Sequence, residues 1–248
     1  MSESAIKISN LTKRFDDITA VDNLNLEIGW GELFGILGPN GAGKSTVVNV
    51  LSTLLEPTDG SATIDGRDVV FDAKGVREII GVCPQKPAFY PHLTGEENIT
   101  LMGEMHLVPK DVLRERVKTM VEKIGMEDHI KRRAKDYSGG MIRRISMLMA
   151  LISDPKVALL DEPTVAMDPK SRHAVWDFIR ELKAQGKAII LTTHYMEEAE
   201  ELCDRVAIID EGQLVELGSP KDLMEKHQAR NMEEVFLKLT GKKLREEF

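Results

Sequence analysis

Short apolar runs alternate with helix-period faces along this chain. Ala5-Ile6-Lys7-Ile8 and Leu24-Asn25-Leu26-Glu27-Ile28 alternate apolar and polar residues, the period of a half-buried strand. Leu33-Phe34-Gly35-Ile36-Leu37 is an unbroken apolar run and predicts a buried parallel strand. Residues 79–83 and 157–160 predict two more buried strands, the first stopped by Pro84. Residues 188–193, 205–210 and 213–217 predict further strands, the last two joined by a turn at Glu211-Gly212. Helical spacing shows in Val47, Val50, Leu51 and Leu54, again in Leu113, Val117, Met120, Val121 and Ile124, and then in Ile145, Leu148, Met149 and Ile152. Val175, Phe178, Ile179 and Leu182 mark another helix, ended by Gly186. Residues 56–60 form a turn cluster, and Asp65-Gly66 centres a hairpin. Ser219-Pro220 opens a helix with a cap and a proline at its first position. Asn231-x-x-Glu234 reads as a capping box ahead of Val235, Phe236 and Leu239. From about residue 91 to 136 there is no strand signal, so the pattern is α/β with a helical insert. It contains no internal repeat and no low-complexity linker.

Composition narrows the function classes. With 42% hydrophobic residues among 248, a sizeable core forms without disulfides or metal. The net charge of −8 and the lack of any long Lys/Arg run argue against nucleic-acid binding. Lys131-Arg132-Arg133, the densest basic spot, reads as a solvated helix end. Cys83 and Cys203 are far apart and form no C-x-x-C pair, which fits a reducing compartment. The opening MSESAIKISN has no apolar signal core, and no stretch approaches the roughly 20 apolar residues of a membrane helix. Work at a membrane would require a partner chain.

The chemistry concentrates at strand ends. Residues 38–46, Gly38-Pro39-Asn40-Gly41-Ala42-Gly43-Lys44-Ser45-Thr46, fit the phosphate-loop pattern G-x-x-x-x-G-K-[ST]. A predicted strand precedes them and a helical face follows. Glycines let main-chain N–H groups turn toward one point, and the helix N-terminus adds partial positive charge there. Lys44 is placed to hold β- and γ-phosphates, and the Ser45 hydroxyl to ligate Mg2+. A glycine-rich turn with an ordinary surface lysine is the alternative that the flanks disfavour. Phe15, on the polar segment between the first two strands, is either an exposed ring that stacks on adenine or a loop aromatic folded onto the core. Gln85 follows a strand and so lies near a ligand crevice, or else is a solvated loop residue.

Tyr137-Ser138-Gly139-Gly140-Met141 interrupts the helical pattern. Ser138 predicts an N-cap, and a second glycine in the first turn is poor for capping alone. A helix N-terminus shaped for phosphate is the functional reading. Asp161-Glu162 closes an apolar strand, a costly place for two carboxylates unless something uses them. Beside a phosphate loop, Asp161 is placed to hold Mg2+ through water and Glu162 to polarise the attacking water; a solvated strand end is the plainer alternative. His194 ends the 188–193 strand, placed for a γ-phosphate contact. His92, His106, His129, His173 and His227 read as surface residues.

Together these pieces resemble the ATP-binding-cassette (ABC) ATPases over nearly the whole chain. GPNGAGKST is similar to Walker A, Gln85 to the Q-loop, YSGGM to the signature loop, VALLDEP to Walker B, VAMD to the D-loop and His194 to the switch histidine. YSGGMIRR and LTTHYMEEAEELCDRVAIID look like exporters of the drug-resistance or ABC-2 type. The resemblance implies a P-loop NTPase (RecA-like) α/β fold: a mostly parallel sheet core, an N-terminal antiparallel β subdomain and an α-helical insert. It implies one domain over residues 1–248, with the nucleotide-binding core and β subdomain in 1–90 and 154–220. A helical subdomain carrying the signature loop would occupy 91–153, and a helical tail 221–248.

The same resemblance implies a Mg2+-dependent ATPase with ATP and Mg2+ as its ligands. ATP would lie on Phe15, Gly38, Pro39, Asn40, Gly41, Ala42, Gly43, Lys44, Ser45 and Thr46. Glu162, His194 and Gln85 would be catalytic, and Ser45, Gln85 and Asp161 would hold the metal. Ser138, Gly139 and Gly140 would reach the ATP of a second subunit, and Asp168 of the D-loop would sit at that interface. The partners implied are an integral membrane permease subunit and a second ATPase, identical or paralogous, facing head to tail, with no nucleic acid. The place implied is the cytoplasmic face of the cell membrane, as a peripheral subunit. Tyr137 and Met141 replace the usual Leu and Gln of the signature, but its phosphate-contacting Ser138-Gly139-Gly140 is kept. VAMD replaces the commoner SALD or GLD and keeps Asp168. The tail is short for the subfamily, which lowers the expectation of a regulatory role at that end. The rival readings are a soluble ABC ATPase not coupled to transport and a plain P-loop kinase or GTPase; the SGG stretch and His194 argue against the latter.

Overall fold

The computed structural model describes residues 4–241. β1 (Ile6–Phe15) and β2 (Ile18–Ile28) form an antiparallel hairpin, with Ile6 opposite Ile28 and Phe15 opposite Ile18. Both strands outrun the alternating segments that predict them, because the polar residues toward the tip still pair backbone to backbone. Phe15 therefore ends a strand and does not lie in a segment between two.

β3 (Leu33–Leu37) leads through the glycine loop into α1 (Lys44–Leu51). α1 ends before Leu54, which is 68% exposed and not part of the helical face. Thr53 takes a φ of 64°, and the N–H groups of Thr53 and Leu54 donate to the Val50 and Asn49 carbonyls at 3.0 and 2.9 Å. That is a Schellman ending built on a residue other than glycine. β4 (Asp59–Ile64) and β5 (Arg67–Asp68) make the expected hairpin, with Asp65 and Gly66 at φ 50° and 76° as a primed two-residue turn requires. Asp59-Gly60, expected in a turn, begins β4 instead, because the long β1 offers Thr12 as a partner for Asp59.

α2 (Ala73–Arg77) precedes β6 (Ile80–Cys83). The insert then packs α3 (Gly95–Met105), α4 (Lys110–Lys123), a 3-10 turn at Ala134–Asp136, and α5 (Gly139–Leu151). Leu113, Val117, Met120, Val121 and Ile124 are buried as their spacing predicts. β7 (Val157–Asp161), α6 (Pro169–Ala184), β8 (Ala188–Thr193), α7 (Met196–Leu202), β9 (Arg205–Asp210), β10 (Gln213–Gly218), α8 (Pro220–Lys226) and α9 (Met232–Thr240) complete the order. The box at α9 is half formed. Asn231 accepts from the Glu234 N–H, but the Glu234 carboxylate takes the N–H of Arg230 instead of that of Asn231. Residues 242–248 of the expected tail, and residues 1–3 of the opening stretch, lie outside the described residues.

The strands form two sheets, an antiparallel β2-β1-β4-β5 and a six-stranded β10-β9-β3-β8-β7-β6 that is parallel except for the β9–β10 pair. The larger sheet is buried on both faces. Leu33, Leu37, Leu160 and Leu191 enter the core shared with the insert helices, while Phe34, Ile36, Leu159 and Ile190 enter the core shared with the antiparallel sheet. Two buried faces explain the unbroken apolar runs. The carboxyl ends of β3, β6, β7 and β8 share one rim, where open α/β sheets bind ligands. Cys83 and Cys203 are both free and buried. Among the described residues, no helix is long and apolar enough to cross a membrane.

Candidate functional site

The glycine loop can form only with its glycines. Gly43, the N-cap of α1, has φ 102°, and a Cβ there would stand 2.3 Å from the Ala20 carbonyl oxygen. At Gly38 a Cβ would stand 2.3 Å from the Ile209 carbonyl oxygen. The loop is thus pressed between the β1–β2 hairpin and the end of β9. Its first-turn N–H groups have no partner inside α1 and add to the positive end of the helix. Lys44 is buried and lies back across the loop, donating from Nζ to the Gly38 and Pro39 carbonyls at 2.8 and 3.1 Å.

A cleft of ≈ 330 Å3 opens beside the loop. Asn40, Gly41 and residues 43–46 line one side of it; Ala20, Gln85 and Glu162 close the rest. Larger grooves of ≈ 580 and ≈ 570 Å3 lie along α4 and α6 and along α3. Volume does not pick out the site; the convergence of polar groups does.

Glu162 is the centre of that convergence. It follows β7, is 6% exposed and holds a φ of 51°. Lys44 Nζ lies 3.6 Å and His194 Nδ1 3.3 Å from Glu162 Oε1, and Gln85 Nε2 donates to Oε2 at 3.4 Å. The His194 and Lys44 approaches lack hydrogen-bond geometry, so Oε1 is buried without a bonded donor. Burial by itself pushes the Glu162 carboxyl up; His194, Lys44 and Gln85 together outweigh it and hold the group below the ordinary value of 4.5. Burial likewise pulls the Lys44 ammonium down, opposed by Glu162 and Asp161. The result is an ionised carboxylate facing a phosphate-shaped loop, with an open acceptor site.

Asp161 lies one residue behind, 2% exposed, and its Oδ1 accepts from the Thr192 hydroxyl. It does not line the cleft, so any ligand it holds there is reached through water. Among the described residues, no three His, Cys, Asp or Glu side chains could hold a metal by themselves. Among the side-chain oxygens at the cleft are the Ser45 and Thr46 hydroxyls, the Asn40 and Gln85 amides and the Glu162 carboxylate, with the Asp161 carboxylate outside the lining. Hard oxygen donors of this kind fit a small cation shared with phosphate oxygens, as Mg2+ prefers.

Ser138, Gly139, Gly140 and Asp168 stand apart from the cleft. Ser138 caps α5, accepting from the Met141 N–H at 3.3 Å. Gly139 and Gly140 pack on the loop before Asp168; a Cβ at Gly140 would stand 3.0 Å from the Ala166 carbonyl oxygen. Asp168 is exposed and caps α6, accepting from Ser171 N and Oγ at 3.0 and 2.6 Å. None of these four residues lines the cleft; Ser138, Gly139 and Asp168 are exposed and Gly140 is buried. Phe15 is also outside that lining. Its ring is 41% exposed with Lys13 Nζ 5.0 Å above it, so it is not folded onto the core.

With this geometry in place, residues 21–165 match the family model described as ABC transporter. This chain belongs to the ABC transporter family. The ABC chain is 40% identical over 223 residues to the daunorubicin resistance ATP-binding protein DrrA3 of Streptomyces coeruleorubidus, covering 90% of this chain and 71% of that one. It is 39% identical over 236 residues to the Nod factor export ATP-binding protein I of Rhizobium sp. (strain N33), covering 95% of this chain and 78% of that one. A solved ATP-binding subunit of an ABC transporter superposes with a TM-score of 0.87 at 25% identity, over 96% of this chain and 100% of that one. A dimeric ATP-binding cassette in a post-hydrolysis state with ADP and Pi superposes with a TM-score of 0.80 at 28% identity, over 86% of this chain and 98% of that one.

Sequence reasoning missed several side chains that shape this ABC site. Thr192 bridges the strand ends, donating to Asp161 and accepting from the Glu162 N–H at 3.0 Å. The Tyr195 ring lies 4.3 Å from that of His194, and the Arg172 guanidinium lies 4.9 Å from the centroid of the Tyr195 ring. Buried Arg143 reaches the same cluster from α5. Thr192 lies within β8, near its carboxyl end, and Tyr195 just beyond it, so strand-end position could have flagged both; no local pattern marks Arg143 or Arg172. Among the other histidines, His92, His106 and His173 are exposed as expected, while His129 and His227 are half-buried.

Proposed function

We propose that this chain is the ATP-hydrolysing motor subunit of an ABC exporter, acting on a separate membrane subunit at the cytoplasmic face of the cell membrane. The observation that carries the reading is Glu162, kept ionised at the mouth of the phosphate loop between Lys44, Gln85 and His194. ATP would lay its phosphates on the loop N–H groups and the positive end of α1, with Lys44 swinging from its own loop carbonyls to the β- and γ-oxygens. Ser45, Gln85 and, through water, Asp161 would hold Mg2+, which when bound neutralises charge on the phosphates. Glu162 orients the attacking water and takes its proton late, since phosphoryl transfer depends mainly on positioning and charge. His194 would contact the γ-phosphate, and Phe15 the adenine.

The separation of Ser138, Gly139, Gly140 and Asp168 from the cleft supports a site completed by a second copy or a paralogue. A γ-phosphate shared across such an interface is a ligand that differs between closed and open states, so ATP favours closure and ADP does not. The exporter reading rests on relatives named for drug resistance and Nod factor export. On this reading a separate membrane subunit does the membrane work; among the described residues no helix is long and apolar enough to cross a membrane.

The test is co-expression with any membrane protein whose gene adjoins that of this chain, purification by a tag on that protein, and phosphate release with Mg-ATP. Co-purification with ATPase activity that candidate export substrates stimulate is the expected result. Steady hydrolysis by a chain that captures no membrane protein would move the reading to a soluble ABC ATPase.

A further inference from the structure

A guanidinium on the signature helix holds the backbones of two catalytic segments at once. Arg143, on α5, is 4% exposed, and every contact it makes in the cluster goes to a main-chain oxygen. Nη1 donates to the Pro84 and Gln85 carbonyls, both at 2.7 Å. Nε donates to the Glu162 carbonyl at 2.9 Å, and Nη2 to the Asp161 and Glu162 carbonyls, the latter at 2.6 Å. Those carbonyls leave the ends of β6 and β7, neighbouring strands paired Cys83 to Leu160. Beyond that pair the ladder stops, and the chain must turn so that the Gln85 and Glu162 side chains meet. Backbone oxygens released from a ladder in a buried place need donors. One planar guanidinium supplies donors in a fixed fork, which a lysine ammonium cannot do. The fork also restrains Glu162 in its positive-φ conformation, a state that persists only where surroundings over-determine it.

Resting on the ATPase reading above, we propose that Arg143 is a positioning residue for hydrolysis. It locks the Gln85 and Glu162 backbones in register with the helix that carries Ser138, Gly139 and Gly140. Its side chain touches neither cleft nor nucleotide. Arg143 lies on the same helix as the Ser138 cap, so a nucleotide seated on that helix's N-terminus is linked through one side chain to the geometry of Glu162 in the same copy. Loss of the fork would therefore lower turnover and leave ATP affinity almost untouched, because the phosphate loop lies on α1 and does not touch it.

The experiment compares the parent chain with Arg143→Lys and Arg143→Gln, measuring ATP affinity by equilibrium fluorescence, kcat and KM by phosphate release, and backbone hydrogen exchange. Both variants should bind ATP within about threefold of the parent and lose about 10–100-fold in kcat, the order that small misplacement costs. Exchange should rise together at the amides of residues 85–86 and 161–162. Arg143→Lys, which keeps the charge, should recover little, because the fork and not the charge is needed. Folded variants with parental kcat, or with losses confined to affinity, overturn the proposal. If neither variant folds, the parent decides. Mg-ATP should then slow exchange at 85–86, 161–162 and the first turn of α5 as one unit, and independent changes overturn the proposal. A parent that neither binds nor hydrolyses ATP refutes the ATPase reading itself, a result distinct from either.

Discussion

His194 Nδ1 lies 3.3 Å from Glu162 Oε1, the same oxygen that Lys44 approaches to 3.6 Å. One carboxylate oxygen thus faces two nitrogens that can carry positive charge, while the other is engaged by Gln85. The arrangement keeps Glu162 ionised in a place where burial alone would favour its protonated form.

The pH dependence of hydrolysis follows. The Glu162 pKa is lowered below 4.5, so its carboxylate stays charged as pH falls through the neutral range and is lost only below that ordinary value. An acid limb of kcat/KM near pH ~6.5, where an unperturbed histidine titrates, belongs to another group. His194→Ala removes the largest of the influences that lower the Glu162 pKa, so any limb due to Glu162 should move upward in that variant. A profile from about pH 3.5 to 9 in both proteins, reaching below the ordinary carboxylate value, reads this directly. A Glu162 limb that stays put in His194→Ala means the two side chains are not coupled.

Much of this site was legible because the phosphate loop, Gln85, Asp161, Glu162 and His194 each follow an apolar strand. Strands buried on both faces announce themselves, and their carboxyl ends share one rim by topology. What was not legible depends on distant partners. Leu54 fits the helical spacing, but Thr53 ends the helix in a left-handed conformation that no local pattern signals. Arg143 and Arg144 are adjacent in YSGGMIRR; Arg143 is held by residues 18 to 59 positions away, so only the fold shows which one enters the cluster. In sequence alone Phe15 stands between two readings, because a half-polar hairpin tip and a loop look alike there.

Glu198 gives a stability test. It is fully buried on α7, with Oε1 accepting from Thr164 Oγ1 at 2.8 Å and Trp176 Nε1 at 2.9 Å. Burial pushes its carboxyl up, against the pull of those hydrogen bonds. The folded chain therefore holds this proton more tightly than the unfolded chain. The associated stability is complete below the ordinary value of 4.5 and declines as pH rises toward the folded value. Glu198→Gln keeps an acceptor oxygen and stops titrating, so its Tm should gain on the parent's as pH rises from about 5 to about 8. Glu198→Ala should be destabilised throughout, by about 1–3 kcal/mol for each donor left unpaired. Parallel Tm curves for parent and Gln variant would show that Glu198 does not titrate in this range.

Phe15→Ala separates base from phosphate recognition. If the exposed ring stacks on adenine, ATP binding should weaken by about 1–2 kcal/mol, by analogy with base–aromatic stacking. Inorganic triphosphate should bind as before, and Tm should barely move because the ring packs little. Competition calorimetry with both ligands checks this, and equal losses would remove Phe15 from the site.

Lys44→Ala should cut ATP affinity by at least about tenfold and abolish hydrolysis, since charge-assisted bonds to phosphate are among the strongest available. The variant should fold, because a buried ammonium that donates to the carbonyls of its own loop contributes little to either core. Near-normal turnover would take the phosphate loop out of the mechanism.

The last prediction joins the cleft to Ser138, Gly139 and Gly140. Glu162→Gln keeps the shape of the side chain and removes its charge, so hydrolysis should fall by about 10²–10⁴-fold while ATP still binds. Uncleaved ATP would then remain on the phosphate loop of one copy. Ser138, Gly139 and Gly140, which do not line their own cleft, would on this reading cover the γ-phosphate of another copy. With the opening step blocked, Mg-ATP should convert the isolated variant from monomer to dimer, and ADP should not. Adding Ser138→Arg should cancel the conversion, because it fills one face of the shared site without touching the other. Size-exclusion chromatography with light scattering reads the mass under each condition. Parental turnover in Glu162→Gln would show that Glu162 is not the base. An inactive variant that stays monomeric with ATP at high concentration would make closure depend on the membrane subunit, because the two surfaces would then be too weak to join without it.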